Sequence, residues 1–417
     1  MTSLLQTVSC LDGYDPDALH VDKAREAIRS CLAPVEAAYE LGIREALGRV
    51  LAQDVVPAIN VPAHDNSAMD GYALTHSGGE DEAEYEEIGT ALAGRPFDGA
   101  VLPGQCVRIM TGAVMPAGAD TVVIQEVVRR EGERIFVPGG QKRGQNVRSA
   151  GEDLKVGVPV LRPGRILRAA DLGLVASLGI GRVKVKRRLR VALFATGDEL
   201  ASIGTPLREG EVYDSNRYTL FGMLSRLGVE ITDLGVVRDD PQELERALKR
   251  ASGGADVVIT TGGVSVGEAD FVKQLMAKLG EVLFWKIAMR PGRPMAFGKI
   301  GNAFLFGLPG NPVAVMVTFY QFVREALLHL AGAVDATPPM ASAIAAENLR
   351  KVPGRTEYQR GILYRERDEW RVRTTGQQGS GVLRSMSEAN CFIVLEHERA
   401  KVAAGERVQV QPFEGLV

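Results

Sequence analysis

The stretch ADVVITTGGVSVGEADF, residues 255–271, runs an apolar segment, Val257-Val258-Ile259, into a turn built on Gly262, Gly263 and Gly267. Two carboxylates, Glu268 and Asp270, close that turn, and a helical pattern follows. A buried strand that ends in glycines and opens a helix belongs to an α/β sheet, where ligands bind outside the carboxyl ends of the strands, against helix N-termini that favour anions. The glycines let backbone amides approach a phosphate with no Cβ in the way. The carboxylates bring charge that a phosphate alone would repel, a conflict that a divalent cation resolves. Taken alone the turn also has a simpler reading, in which Asp270 caps the helix and Glu268 is a first-turn acid.

Working outward, the segments RLRVALFAT, SNRYTLFGMLSRLG, VEITDLGVV, DPQELERALKRAS, ADVVIT, ADFVKQLMAKLG and EVLFWKIAM alternate strand and helix patterns. That order predicts a mostly parallel, doubly wound sheet over residues 189–334, with helices on both faces. Its closing helix starts at Pro312, which suits a first helical turn because the missing N–H would be unpaired there. Residues 335–417 change to short alternating runs such as WRVRTT, CFIVLE and ERVQVQPF, which predict a small β domain. Residues 57–146 also read as short strands between Gly and Pro turns. The flanking segments, 1–56 and 147–188, are expected to pair into one discontinuous linker domain. The fold class is therefore a multidomain α/β plus β protein, with a central α/β domain, a discontinuous linker and two smaller β-rich domains.

Bulk properties narrow the function. A length of 417 residues calls for several domains, and 45% hydrophobic with 24% charged residues is the balance of a globular protein. A net charge of -3 argues against general affinity for nucleic acid or anionic membrane. The longest apolar stretch, near Val313 to Val323, reads as too short to cross a bilayer, and no basic-then-apolar leader opens the chain, so a cytoplasmic location is expected. Cys10, Cys31, Cys106 and Cys391 show no CxxC spacing and read as structural in a reducing compartment. With five scattered histidines, any metal should be a hard one held by oxygen, and Mg²⁺ is the natural candidate.

Two further strand ends carry acids: Asp198 and Glu199 in ATGDEL, and Asp239 and Asp240 in VVRDDP. With the opening turn they make three acidic loops that would meet at one sheet edge, although an Asp before Pro is also an ordinary helix start. In WKIAMRPGRPMAFG, residues 285–298, Lys286, Arg290 and Arg293 sit among two prolines and two glycines. Cations on a stiffened loop suit an oxyanion clamp; a solvated basic turn is the plainer alternative. GLPGNP, residues 307–312, adds another helix N-terminus open to anions. DNSAMDGYAL and RIMTGAVMPAGADTVV place Asp70, Thr111 and Gly112 in polar turns that could equally be ordinary surface loops.

The motifs DNSAMDGYA, RIMTGA, GED, TGDEL, TTGGVSVGEAD, PGRPMAFG, GLPGNP and QRG recur in order over almost the whole chain. With them the sequence resembles the MoeA family of molybdopterin molybdenumtransferases and, more distantly, the E domain of gephyrin. The resemblance implies a MoaB/MogA-like α/β domain, and a reaction that inserts molybdate into adenylylated molybdopterin, with release of AMP in a Mg²⁺-dependent step. It also implies a homodimer, in which the α/β domain of one chain meets the DNSAMDGYA domain of the other, and other proteins of the molybdenum cofactor pathway as further partners. Carried over by motif, Glu199, Asp239 and Asp270 would hold the metal and the adenylate phosphate, and Asp70, Thr111 and Asp153 would act in the same cleft. Gly262, Gly263, Ser265, Lys286, Arg293, Pro309 and Pro312 would contact substrate, and Arg290, Pro291, Arg360 and Ser380 would form the molybdate pocket. Arg290 and Arg293 stand where lysines are frequent, and His64 where an aromatic is usual, which changes donor geometry while keeping charge in the clamp. A scaffold that keeps the fold, and an enzyme acting on tungstate or on another adenylylated substrate, are the competing readings.

Overall fold

The computed structural model describes residues 4–9, 15–263 and 270–413. Its centre is a six-stranded sheet in the order Glu230–Val237, Arg190–Thr196, Val257–Thr261, Ala303–Leu308, Pro294–Ile300, Gly280–Lys286. The first four strands are parallel. Arg190–Thr196 is buried at every residue after the first, and Val257–Thr261 throughout, as expected of parallel strands covered on both faces. Side chains alternate between two cores: Val191 and Leu193 pack with the helices Asn216–Arg226 and Pro312–Leu330, and Ala192 and Phe194 with Pro241–Ser252 and Asp270–Leu279.

EVLFWKIAM forms a strand, but an antiparallel one at the sheet edge. Ile300 pairs with Ala303 across Gly301, at φ +59°, and so tight a turn can join only antiparallel neighbours. No crossover helix separates Gly280–Lys286 from Pro294–Ile300, so that pair is antiparallel too.

Two further expectations are corrected. The helix Val21–Cys31 does not pack with the linker domain. Its apolar stripe, Val21, Ala24, Ala27 and Ile28, joins the core of the α/β domain beside Ile287 and Phe322. The linker core itself is built from Ala46, Leu51 and Val55 before the insert and Leu154, Leu161, Val175, Val183 and Val185 after it. Ala38–Gly42 pairs antiparallel with Arg182–Lys186 across the insertion. Pro312–Leu330, broken by a π-helical turn at Phe319–Val323, is by length and composition long enough to cross a membrane, contrary to the reading of this stretch as too short. In the fold, 83% of its most apolar window is buried, because it is the central core helix beneath the sheet.

The insert forms a second six-stranded sheet, in the order Thr121–Ile124, Gly71–Leu74, Gln105–Ile109, Ala83–Ala91, Arg134–Val137, Arg129–Glu131. In the C-terminal domain Thr356–Glu366 pairs with both Glu369–Thr374 and Cys391–Leu395, which closes a small barrel. One strand of that sheet comes from the α/β domain: Met289–Arg290 lies parallel to Thr356–Glu357.

Burial pushes the thiols of Cys106 and Cys391 up to about 12, and both are fully buried. The native protein should therefore leave both unlabelled by a disulfide reagent at pH ~8 and release them on denaturation, since the thiolate is the reactive form. Rapid native labelling of either, followed by peptide mapping, would contradict the packing.

Candidate functional site

The acidic loops meet where the parallel strands end. Thr196, the last residue of its strand, donates its hydroxyl to Asp239 Oδ1, and the Asp239 N–H donates to Asp198 Oδ1 at 3.3 Å. The Glu199 carboxylate folds back over Gly197, where an added Cβ would lie 2.6 Å from Oε2. Gly262 closes the same edge from the neighbouring strand at φ +86°, and a Cβ there would meet the Thr196 carbonyl oxygen at 2.2 Å. Only glycine lets the two strand ends approach so closely. Gly263 follows, also with positive φ. Asp240 takes the simpler role and caps Pro241–Ser252, accepting from the N–H groups of Gln242 and Glu243 at 2.9 Å each.

Asp270 opens the helix Asp270–Leu279. Its side chain, together with Ser265, Gly267 and Glu268, lies outside the described residues. Among the described residues no group of three or more His, Cys, Asp or Glu side chains is close enough to hold a metal. Glu199 and Asp239 are both exposed at this edge and offer oxygen donors only, which is the donor chemistry a hard cation takes.

The basic loop divides. Lys286 Nζ pairs with Asp17 Oδ1 at 2.6 Å, and Arg293 Nη2 donates to the Asp17 carbonyl oxygen at 3.4 Å. These two cations are thus drawn to the N-terminal segment, away from any shared clamp with Arg290. Asp17, held by Lys286, ionises below the usual carboxylate range. Arg290 and Pro291 instead line a cavity of about 590 Å³ between this loop and the C-terminal barrel, walled also by Arg350, Lys351, Glu357, Gln359, Arg360 and Gln378.

Arg360 is only 1% exposed, and among the described residues no carboxylate pairs with it. Burial, and then the like charge of Arg290, bring its pKa down to about 10, so it stays protonated at neutral pH. Lys351 is 5% exposed. Its ammonium donates to the carbonyls of Val352 at 2.8 Å and His397 at 3.3 Å, and burial lowers its pKa. A concave wall with this excess of positive charge suits a compact polyvalent anion.

Ser380 is not one of the lining residues, although the Gly379 carbonyl beside it accepts from Arg360 Nη2 at 3.0 Å. The Ser380 carbonyl accepts from the N–H of Val313 at 3.1 Å, which ties the C-terminal domain to the start of the core helix after Pro312. Pro309 is buried in the same turn, and the neighbouring Gly310 carbonyl accepts from Asn216 Nδ2 at 2.6 Å.

In the insert, Thr111 donates both its N–H and its hydroxyl to Asp70 Oδ1 at 2.7 Å, and these bonds hold the Asp70 carboxyl below the usual range. Asp153 is exposed where insert and linker join, its N–H donating to the Val61 carbonyl at 3.1 Å. Among the described residues no hydrogen bond or ion pair joins Asp70, Thr111 or Asp153 to the sheet edge within one chain.

Sequence reasoning did not single out Thr196, Arg350, Lys351, Gln378 or Ser385. The signal for two of them was the basic pair before Val352-Pro353-Gly354, but nothing in the spacing links it to a loop some 60 residues earlier.

Three family models match along the chain: the MoeA N-terminal region (domains I and II) over residues 19–179, a probable molybdopterin binding domain over 192–329, and the MoeA C-terminal region (domain IV) over 342–413. A molybdopterin molybdenumtransferase of Haemophilus influenzae is 46% identical over 403 residues, covering 96% of this chain and 100% of the relative. One from Nostoc sp. is 36% identical, covering 88% and 86%. The crystal structure of the molybdopterin biosynthesis moeA protein from Pyrococcus horikoshii OT3 superposes with a TM-score of 0.82 at 30% identity, over 95% of this chain and 100% of that one.

The Asp70 bonds give a direct test. Because the folded pKa lies below the unfolded value of about 4, they add stability above that pH, and it is lost as pH falls through the folded value. Thr111→Val should raise the Asp70 pKa, read by carboxyl NMR titration, and flatten this acid-side loss in denaturation series. An unchanged titration would mean that the hydroxyl bond does not form in solution.

Proposed function

Because the chain belongs to the MoeA family of molybdopterin molybdenumtransferases, we propose that it inserts molybdate into adenylylated molybdopterin with release of AMP in molybdenum cofactor biosynthesis. The observation that carries the molybdate half of this reading is Arg360, a buried cation with no carboxylate partner among the described residues, placed beside Arg290 in the wall of one cavity. Burying an unpaired charge costs several kcal/mol, and a second cation nearby adds to it. A tetrahedral dianion seated between them would relieve both costs at once, with a guanidinium offering it a two-pronged donor face.

The adenylate half rests on the sheet edge. The N–H groups after the strand ends and the positive-φ glycines 262 and 263 suit a phosphate. Glu199 and Asp239, with Asp270 opening the next helix, are the residues that would hold Mg²⁺. When bound, the ion would neutralise phosphate charge as AMP leaves. The chain's own groups then orient: Thr196 fixes Asp239, Asp198 accepts from its N–H, and Gly262 lets its strand end close against Thr196. Catalysis rests on positioning and charge neutralisation.

Among the described residues Asp70 and Thr111 bond to each other and not to this cleft within one chain, a reading in keeping with a homodimer in which the insert of one protomer completes the cleft of its partner. A cytoplasmic enzyme that receives its substrate from other proteins of the same pathway fits this reading.

Purified protein given adenylylated molybdopterin, Mg²⁺ and molybdate should release AMP, and an Asp70→Ala, Glu199→Ala double variant should lose at least about 100-fold of that rate. Unchanged AMP release in the double variant would sink the proposal. Arg290→Ala, an exposed position, should weaken molybdate binding in calorimetry about tenfold, as loss of a charge-assisted contact predicts. Competition with tungstate in the same cell reads the choice of oxyanion.

A further inference from the structure

Buried arginines in proteins ordinarily neutralise themselves against a carboxylate. Arg360 does not. Its Nε donates to Ser385 Oγ at 3.1 Å and its Nη2 to the Gly379 carbonyl at 3.0 Å. Its backbone is gripped from both sides by one amide: the Arg360 N–H donates to Gln378 Oε1 at 2.8 Å, and Gln378 Nε2 donates to the Arg360 carbonyl at 3.1 Å. Thr375 N–H adds a second bond to that carbonyl at 3.1 Å. Among the described residues, the loop 374–381 and the start of the helix Leu383–Glu388 therefore offer the Arg360 guanidinium neutral acceptors only.

Ser385 is the pivot of this arrangement. It is 2% exposed, and its hydroxyl spends its single proton on the Val382 carbonyl at 2.6 Å, which turns an oxygen lone pair towards Arg360 Nε. A hydroxyl fixed in this way can orient a guanidinium but cannot cancel its charge. Glu357, the acid among the lining residues, accepts instead from Gln359 Nε2 at 3.1 Å.

We propose that Ser385 is a positioning residue for the oxyanion: it aims the Arg360 guanidinium and, by being neutral, leaves its charge free for the incoming anion. This rests on the reading of the Arg290 and Arg360 cavity as the molybdate site. The role is one of specificity as well as geometry, because a carboxylate at this position would be a permanent internal competitor for the ligand.

The test uses the full-length protein with sodium molybdate as probe, followed by calorimetry, thermal melting and AMP-release kinetics. Ser385→Ala should raise the molybdate Kd and KM about tenfold, the loss of one charge-assisted bond, with kcat within about twofold. Ser385→Thr, which keeps the hydroxyl, should restore both. Ser385→Asp should reduce molybdate affinity by roughly 100-fold or more while the melting temperature holds or rises, because the buried charge is then paired. Ser385→Asp binding molybdate as the wild type does overturns the proposal. So does a loss in Ser385→Ala that Thr does not rescue, or one that falls on kcat and KM alike. If the wild type itself gives no molybdate heat, the underlying site reading fails as well; wild-type binding with indifferent Ser385 variants overturns the positioning role alone.

Discussion

Two residues of strand, Met289 and Arg290, join the α/β domain to the C-terminal barrel. They leave the sheet at Lys286, pair parallel with Thr356 and Glu357, and return to the sheet at Pro294. The Ala288 carbonyl accepts from Thr356 N–H at 2.9 Å, so the register is fixed by backbone bonds on both sides of the crossing. Arg290 is thereby held in the wall that also carries Arg360, three residues beyond its register partner Glu357 on the neighbouring strand. The loop is braced from behind as well: Gly292, at φ +95°, passes so close to the core helix that a Cβ would lie 2.6 Å from Thr318 Oγ1. Without this short crossing the two cations would belong to separate domains.

The same contact explains why the N-terminal helix sits where it does. Leu19 bridges to Ile287, the Ala288 N–H donates to the Leu19 carbonyl at 2.8 Å, and Arg25 reaches the side chain of Gln321 on the core helix at 2.5 Å. Lys286 and Arg293 are engaged by Asp17 from this segment. Of the three cations on the loop, two therefore serve to anchor it, and the third is left to face the cavity. Charge of one sign is divided between structure and ligand by where the single acid lies.

At the other end of the molecule's chemistry, the sheet edge follows a general constraint. Parallel strands buried on both faces expose their ends only, so polar side chains collect in the loops there. Thr196, Asp198, Glu199 and Asp239 are brought together because Arg190–Thr196 and Glu230–Val237 are hydrogen-bonded neighbours that finish at the same level. Asp240 is one residue beyond and is consumed by the helix cap, a division the two adjacent aspartates could not reveal by themselves.

By itself the sequence determined the elements and their class. The short apolar runs at 191–195 and 257–259, bounded by turn signals, read as buried strands, Pro241 and Pro312 open helices, and the acids after the strands fall at one edge of any parallel sheet built from them. It also determined, through motifs spread along the chain, the family. What it could not determine was every decision made by contact between distant segments: the antiparallel turn of Gly280–Lys286, the transfer of Val21–Cys31 to the α/β core, the capture of Lys286 and Arg293 by Asp17, and the neutral cradle of Ser385 and Gln378 around Arg360. Local patterns report periodicity and turn chemistry, which act over a few residues. Which cation meets which acid, and which is left over, is settled by long-range packing, and only the tertiary structure carries that information.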